Sequence, residues 1–235
     1  CDHVYLLNLT GGQPGDGLGY AEQTAAMFRL AQTALDREHL SFRDVIRTWI
    51  YVDRMEQDYA ALNQERGAFF AEAGVVRLPA STGIEGRVYP VDRGGSMDLY
   101  ALRPNRQVEV SVMHAPTLNE APSYGSAFSR GLAVRREDRT DLFVSGTASI
   151  DTSGEVVHIG DVARQTERML ENVRQLLAGS GAEPADIVAA CQAFWKEQPR
   201  DPLADVMRGI AAWHLLKSED LRGAVTVLDG LVEIK

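Results

Sequence analysis

The chain has 235 residues, 45% of them apolar and 24% charged, with a formal net charge of −9 at pH 7. That balance fits one large globular domain or two ordinary ones with a sizeable core. The negative charge argues against a general nucleic-acid surface, and the longest apolar runs, LFV at 142–144 and IVAAC at 187–191, are too short for a membrane span.

The opening CDHVYLLNLTGG lacks a basic region, so its apolar run is expected to form a strand rather than a signal peptide. Two cysteines, Cys1 and Cys191, lie outside any CxxC, and a reducing cytoplasm is the expected compartment. Cys191, in an apolar run, is expected to be a buried thiol. His3, His39, His114, His158 and His214 show no metal-ligand spacing, so no metal site is expected.

Met27, Phe28, Ala31, Ala34 and Leu35 form the apolar stripe of a helix over 20–35. DVIRTWIYVDR at 44–54 is rich in β-formers, a second helix is predicted over about 57–73, and PASTGIEG belongs to a closing pair of strands. LFVSGTASIDTSGEVVHIG at 142–160 is expected to be two strands joined at Ser153-Gly154, with His158 on a strand surface. Met169, Leu170, Val173, Leu176 and Leu177 mark a helix over 162–177. DIVAACQAFWK at 186–196, a helix over 201–216 and GAVTVLDGLVEIK follow, the last with a tight-hairpin signal at Asp229-Gly230.

The chain repeats itself. A constant offset of 142 carries Ala21, Gln23, Thr24, Met27 and Leu35 onto Ala163, Gln165, Thr166, Met169 and Leu177, and Asp44-Val45-Ile46 onto Asp186-Ile187-Val188. The order β-β-α-β-α-β-β is therefore expected twice, in domains at 1–118 and 119–235. Each α+β unit leaves a sheet with helices on one face. Sheets packed inward, barrel-like, with helices outside would cover the other face. Ligand clefts then belong at the seams.

The segment from SGTASIDTSGEVVHIGD through QTERMLENVRQLL to ADIV resembles the central signature of the Rid/YjgF superfamily, whose fold is chorismate-mutase-like. RGAVTV and LVEI resemble its arginine-bearing and terminal glutamate strands. PNRQVEVS at 104–111, YGSAFSR at 124–130 and SGTASI followed by VHIGD resemble the tandem-domain chorismatase branch. The resemblance implies a cofactor-free enzyme acting on a small carboxylate. It further implies homo-oligomers, since single-domain relatives are trimers.

Within that resemblance, Arg222 is a bidentate clamp on a substrate carboxylate. Glu233, between apolar Val232 and Ile234, is a general acid whose proton is kept available by partial desolvation. A dicarboxylate needs a second polar pocket, and Arg130 with Tyr124 is the best candidate in the sequence. Gly146 and Thr147 are candidate backbone and hydroxyl contacts, although Gly146 also reads as a strand end needing little bulk. Ser81 stands near the first repeat's counterpart of Arg222, so that copy is expected to be scaffold. The implied reaction is hydrolysis of an enolpyruvyl dicarboxylate such as chorismate. A Rid-type enamine or imine deaminase and a non-catalytic ligand-binding homologue are the alternatives. Ribonuclease activity fits poorly with an acidic chain lacking a basic, aromatic-rich groove.

Overall fold

The structure, a computed structural model, describes residues 3–104, 107–187 and 189. The chain divides into two units, Cys1–Gly179 and Ser180–Lys235, and every element named below belongs to the first. Arg222, Glu233, Cys1 and Cys191 lie outside the described residues, as do the elements expected beyond residue 189. No described helix is long and apolar enough to cross a membrane.

The first repeat supplies β1 (His3–Thr10), α1 (Tyr20–Arg37), β2 (Val45–Val52), α2 (Met55–Glu72), β3 (Ala80–Glu85) and β4 (Gly95–Leu102). One described strand, not two, precedes α1. The four strands form a sheet in the order β1-β4-β2-β3, with β2 and β3 parallel and the other pairs antiparallel. A second sheet follows from β5 (Glu109–Val112), β6 (Gly131–Arg135) and β7 (Thr140–Val144), in that order and antiparallel. The last helix, α3, spans Val162–Gly179.

The duplication is visible in the helices. Both α1 and α3 have 18 residues, and the offset of 142 carries Tyr20 to Val162 and Arg37 to Gly179, start and end alike.

Side-chain alternation along the strands sorts the core into layers. Met97, Leu99 and Ala101 of β4 face α1 and α2, in a core with Met27, Phe28, Leu35 and Leu62. Within it the rings of Phe28, Phe42, Phe69 and Phe70 pack with centroids 5.0 to 6.0 Å apart, in tilted, stacked and edge contacts that suit aromatic quadrupoles. Tyr100 and Leu102 face the other way, onto Leu132 and Val134 of β6. Between these two, Ala133 faces Met113 and Leu176 of α3. The sheets therefore pack inward with helices outside, as the repeat pattern requires.

The first strand read in the 142–160 stretch is present, since residues 142–144 end β7, but its hairpin partner is β6, ahead of it in the chain, and not a strand beyond Gly154. The β6–β7 turn closes through the Arg136 N–H on the Arg139 carbonyl at 2.8 Å, with both arginines bonded to Asp141. It is a charged turn without the glycine or asparagine that marks a tight hairpin. Past Val144 the chain leaves the sheet, and only an isolated bridge joins Ile150 to Val156 around the turn at Gly154. The Asp151 carboxylate caps that turn, accepting from the Ser153 and Glu155 N–H groups and the Ser153 hydroxyl. Gly154 takes φ 88°, a conformation that side chains disfavour. His158 lies exposed past this turn, not on a strand.

The two sheets also meet edge to edge. Ala80 of β3 bridges to Ser129 just ahead of β6, where the Ser129 N–H donates to the Pro79 carbonyl at 3.0 Å. The Ser145 hydroxyl, 3% exposed, accepts from the Ser81 N–H at 2.8 Å and donates to the Ser129 carbonyl at 2.6 Å. Ser145→Ala strands a buried donor and a buried acceptor together. Urea denaturation should show a loss of about 2–6 kcal/mol, given about 1–3 kcal/mol for each of the two orphaned groups. A midpoint unchanged from wild type would show that the seam does not depend on this hydroxyl.

Candidate functional site

Where the sheet edges meet, a cleft of about 640 Å³ opens between α2, β3 and the segments flanking β6 and β7, a volume suited to a small metabolite. Arg130, Tyr124, Gly146 and Thr147 all line it. The structure thus brings together the four predicted site residues that it describes, and it seats them against the first repeat. Arg222 and Glu233 lie outside the described residues.

Chain geometry fixes the cleft wall. After β7, the backbone of Ala148–Ile150 is held by α3. The Asn172 amide, fully buried, donates to the Ala148 and Ile150 carbonyls at 3.2 and 3.3 Å, and Arg168 Nε donates to the Ile150 carbonyl at 2.9 Å. The asparagine near the end of the helix signature is therefore a strut behind the cleft.

Arg130 is 3% exposed. Its Nε donates to the Asn119 carbonyl at 2.8 Å and its Nη2 to Asn119 Oδ1 at 2.9 Å. The guanidinium lies 5.3 Å from the Tyr124 ring centroid and 5.6 Å from that of Phe128, contacts that favour a cation over an aromatic face. Burial raises the Tyr124 phenol pKa above its ordinary value, outweighing the nearby guanidiniums that lower it, so the hydroxyl stays protonated and able to donate.

Three contributions from the first repeat were not anticipated. Arg66 of α2 lines the cleft at 4% exposure, on the buried stripe Asp58, Leu62, Arg66, Phe70. Its Nη2 donates to Asn63 Oδ1, its Nε has no hydrogen-bond partner among the described residues, and it lies 5.5 Å from the Phe128 ring centroid. Burial draws its pKa down to about 10, still well above neutrality, so the charge persists. The signal in the sequence was an arginine at i+4 from Leu62 and i−4 from Phe70, where the stripe calls for an apolar residue.

Thr82 of β3 is the second. Its Oγ1 accepts from the Gly146 N–H at 2.9 Å and from buried Arg47 Nη2. With both lone pairs engaged, the hydroxyl proton is left to donate to another group, and Thr82 borders the cleft. This contact also explains Gly146, because a Cβ there would sit 2.9 Å from Thr82 Cγ2. The third is Tyr59, which lines the cleft and whose hydroxyl stands 3.2 Å from the hydroxyl of buried Ser126.

Leu62, Phe128, Ile150 and Val156 give the cleft an apolar lining, while the Thr147 hydroxyl is buried without a partner among the described residues. The arrangement can hold a small ring-bearing anion, with guanidiniums for its charges and hydroxyls for its oxygens.

An uncompensated buried cation opposes folding, since a base whose pKa falls on burial is destabilised wherever it is charged, that is, below that pKa. Arg66→Met fills similar space without the charge and should raise the melting temperature by about 2–8 °C at pH 7, corresponding to about 1–2 kcal/mol. A fall in melting temperature would mean that Arg66 is compensated within the fold.

The chain is similar in parts to known proteins. Residues 119–226 match the family described as Endoribonuclease L-PSP. A solved chorismatase is similar over 67% of this chain and 50% of its own, at 25% identity and a TM-score of 0.56. A span of that length exceeds either repeat alone, so the likeness takes in both. The 3-aminoacrylate deaminase RutC of Acinetobacter baylyi is 37% identical over 46 residues, 20% of this chain and 36% of RutC. The E. coli YjgF gene product is similar over 44% of this chain and 83% of its own, at 20% identity and a TM-score of 0.40. The chain thus spans half of the chorismatase and little more than a third of RutC. By the family match and the two-sheet α+β fold, residues 119–226 form a domain of the Rid/YjgF (L-PSP) type.

Proposed function

We propose that the protein is a chorismatase-like enzyme. It hydrolyses a small enolpyruvyl dicarboxylate, with chorismate as the leading substrate, to pyruvate and a hydroxybenzoate or dihydroxycyclohexadiene carboxylate. The observation that carries the reading is a buried guanidinium, Arg130, facing an apolar cleft with a neutral amide residue, Asn119, as its hydrogen-bonding partner. Such a group is satisfied by an incoming carboxylate. The likeness to a chorismatase over both repeats supports the same reading.

In the proposed reaction, Glu233 delivers its proton to the methylene carbon of the enol ether, leaving an oxocarbenium-like centre. Water adds to that centre, the ether C–O bond breaks, and pyruvate departs as the ring oxygen takes back a proton. Attack by an internal oxygen is the variant that leads to a hydroxybenzoate. Arg130 holds one carboxylate, and Arg222, by resemblance, adds a second positive charge that orients the bond, the contribution of positioning and electrostatics to rate. The roles of Glu233 and Arg222 rest on the resemblance of the LVEI and RGAVTV strands to the family pattern. The proposal requires no metal or organic cofactor, and it takes the protein to be cytoplasmic and homo-oligomeric, a trimer by analogy with single-domain relatives.

Incubation with chorismate, with pyruvate followed by a coupled lactate dehydrogenase assay, tests the reading. Pyruvate should appear in step with chorismate loss, and Glu233→Gln should lower kcat by about 10²-fold or more while leaving binding intact. Absence of pyruvate, or undiminished turnover in Glu233→Gln, contradicts the proposal. The local similarity to RutC makes a Rid-type deaminase the second reading, with Arg222 clamping an imino acid. Ammonia released from 2-aminoacrylate, without pyruvate from chorismate, would favour it.

A further inference from the structure

We propose that Arg66 and Arg130, whose guanidiniums both lie against the ring of Phe128, form a two-point clamp for a dicarboxylate, one carboxylate to each guanidinium. The inference deepens the reading of this cleft as the substrate site and gives the first repeat a binding role in place of the scaffold role expected from Ser81.

Both guanidiniums stand against one ring, at 5.5 and 5.6 Å from the Phe128 centroid, so one small molecule can reach both. Among the described residues neither has a carboxylate within ion-pairing distance. Asp58, on the same stripe of α2 as Arg66, pairs instead with Arg54 at 3.6 Å. The fold answers each cation with an asparagine: Asn63 accepts from Arg66, and Asn119 accepts twice from Arg130. An amide oxygen orients a guanidinium without neutralising it. Two like charges beside one buried ring repel, and they persist where a ligand supplies the opposite charge.

The nitrogens left over point to the same ligand. Arg66 Nε is buried without an acceptor among the described residues, and Arg130, held by Asn119 through Nε and Nη2, has as its further polar neighbour the neutral Tyr124 hydroxyl rather than a carboxylate. Each arginine thus keeps donor capacity for a carboxylate. In the same cleft, Leu62, Phe128 and Val156 offer apolar surface, and Thr82 and Thr147 offer hydroxyls near its edge. A compact dianion with a flat or cyclic apolar body, its carboxylates on opposite sides, meets all of these groups. A monocarboxylate leaves one guanidinium unanswered.

Calorimetric titration of the full chain with isophthalate and with benzoate tests the clamp without requiring turnover. Wild type should bind isophthalate about 10- to 100-fold more tightly than benzoate, the value of one further charge-assisted contact. Arg66→Met should reduce that preference to less than threefold while benzoate affinity, held by Arg130, changes little. Arg66→Lys, which keeps the charge and loses the fork, should fall between them. Equal affinities in wild type would overturn the clamp even if no variant could be purified, and so would an undiminished preference in Arg66→Met. The preference survives a failure to release pyruvate from chorismate. Conversely, wild-type kcat/KM on chorismate in Arg66→Met would overturn the clamp and leave the proposed activity standing.

Discussion

The Ser145 hydroxyl joins the two sheets at the point where neither can close on itself. β3 is the last strand of its sheet, and its inner end would otherwise expose unpaired backbone groups. Instead, Ala80 bridges to Ser129, and the Ser145 hydroxyl spans the Ser81 N–H and the Ser129 carbonyl. One residue further on, the Gly146 N–H reaches Thr82 Oγ1. This run of short-range bonds sets Arg130 and Thr147 opposite residues of α2 and β3 that are far away in sequence. The cleft lies beside these pinned edges, with Ser81, Thr82 and Gly146 in its lining.

The cleft's electrostatics run against the chain's overall charge. The net charge is −9, yet two buried guanidiniums line the cleft, and a third, Arg47, is buried behind Thr82 with Nη1 unpartnered among the described residues. Buried charge without a counter-charge is costly, and a fold selected for stability alone would fill the Arg66 position with an apolar side chain. The cost is consistent with a site prepared for an anion, because preorganised donors need not reorganise when the ligand arrives. Local positive potential inside an acidic molecule also restricts entry to small anions, since a polyanion meets the outer surface first.

Much of the fold was legible because duplication preserves register. The stripe at Met27, Phe28, Ala31 and Leu35, echoed at Met169, Leu176 and Leu177, located both helices, whose ends in the structure keep the same offset. The β6–β7 hairpin was not legible, because its turn is closed by Arg136, Arg139 and Asp141 rather than by residues with a distinctive backbone preference. Arg130, Tyr124, Gly146 and Thr147 could be singled out from their motifs, but their meeting place could not, since it depends on contacts between residues such as Ser81 and Ser145. Arg66 was legible only as an anomaly in an apolar stripe, and Gly146 only as a small residue. The reason for Gly146 is the Thr82 side chain packed where its Cβ would be.

The central claim is spatial: a dianion lies between Arg66 and Arg130, over Phe128. A crystal structure of the protein soaked with isophthalate tests it most directly. The account predicts one carboxylate within hydrogen-bonding distance of each guanidinium and the ring of the ligand against Phe128. Isophthalate bound elsewhere, or either arginine paired with a carboxylate of the protein itself, would contradict it.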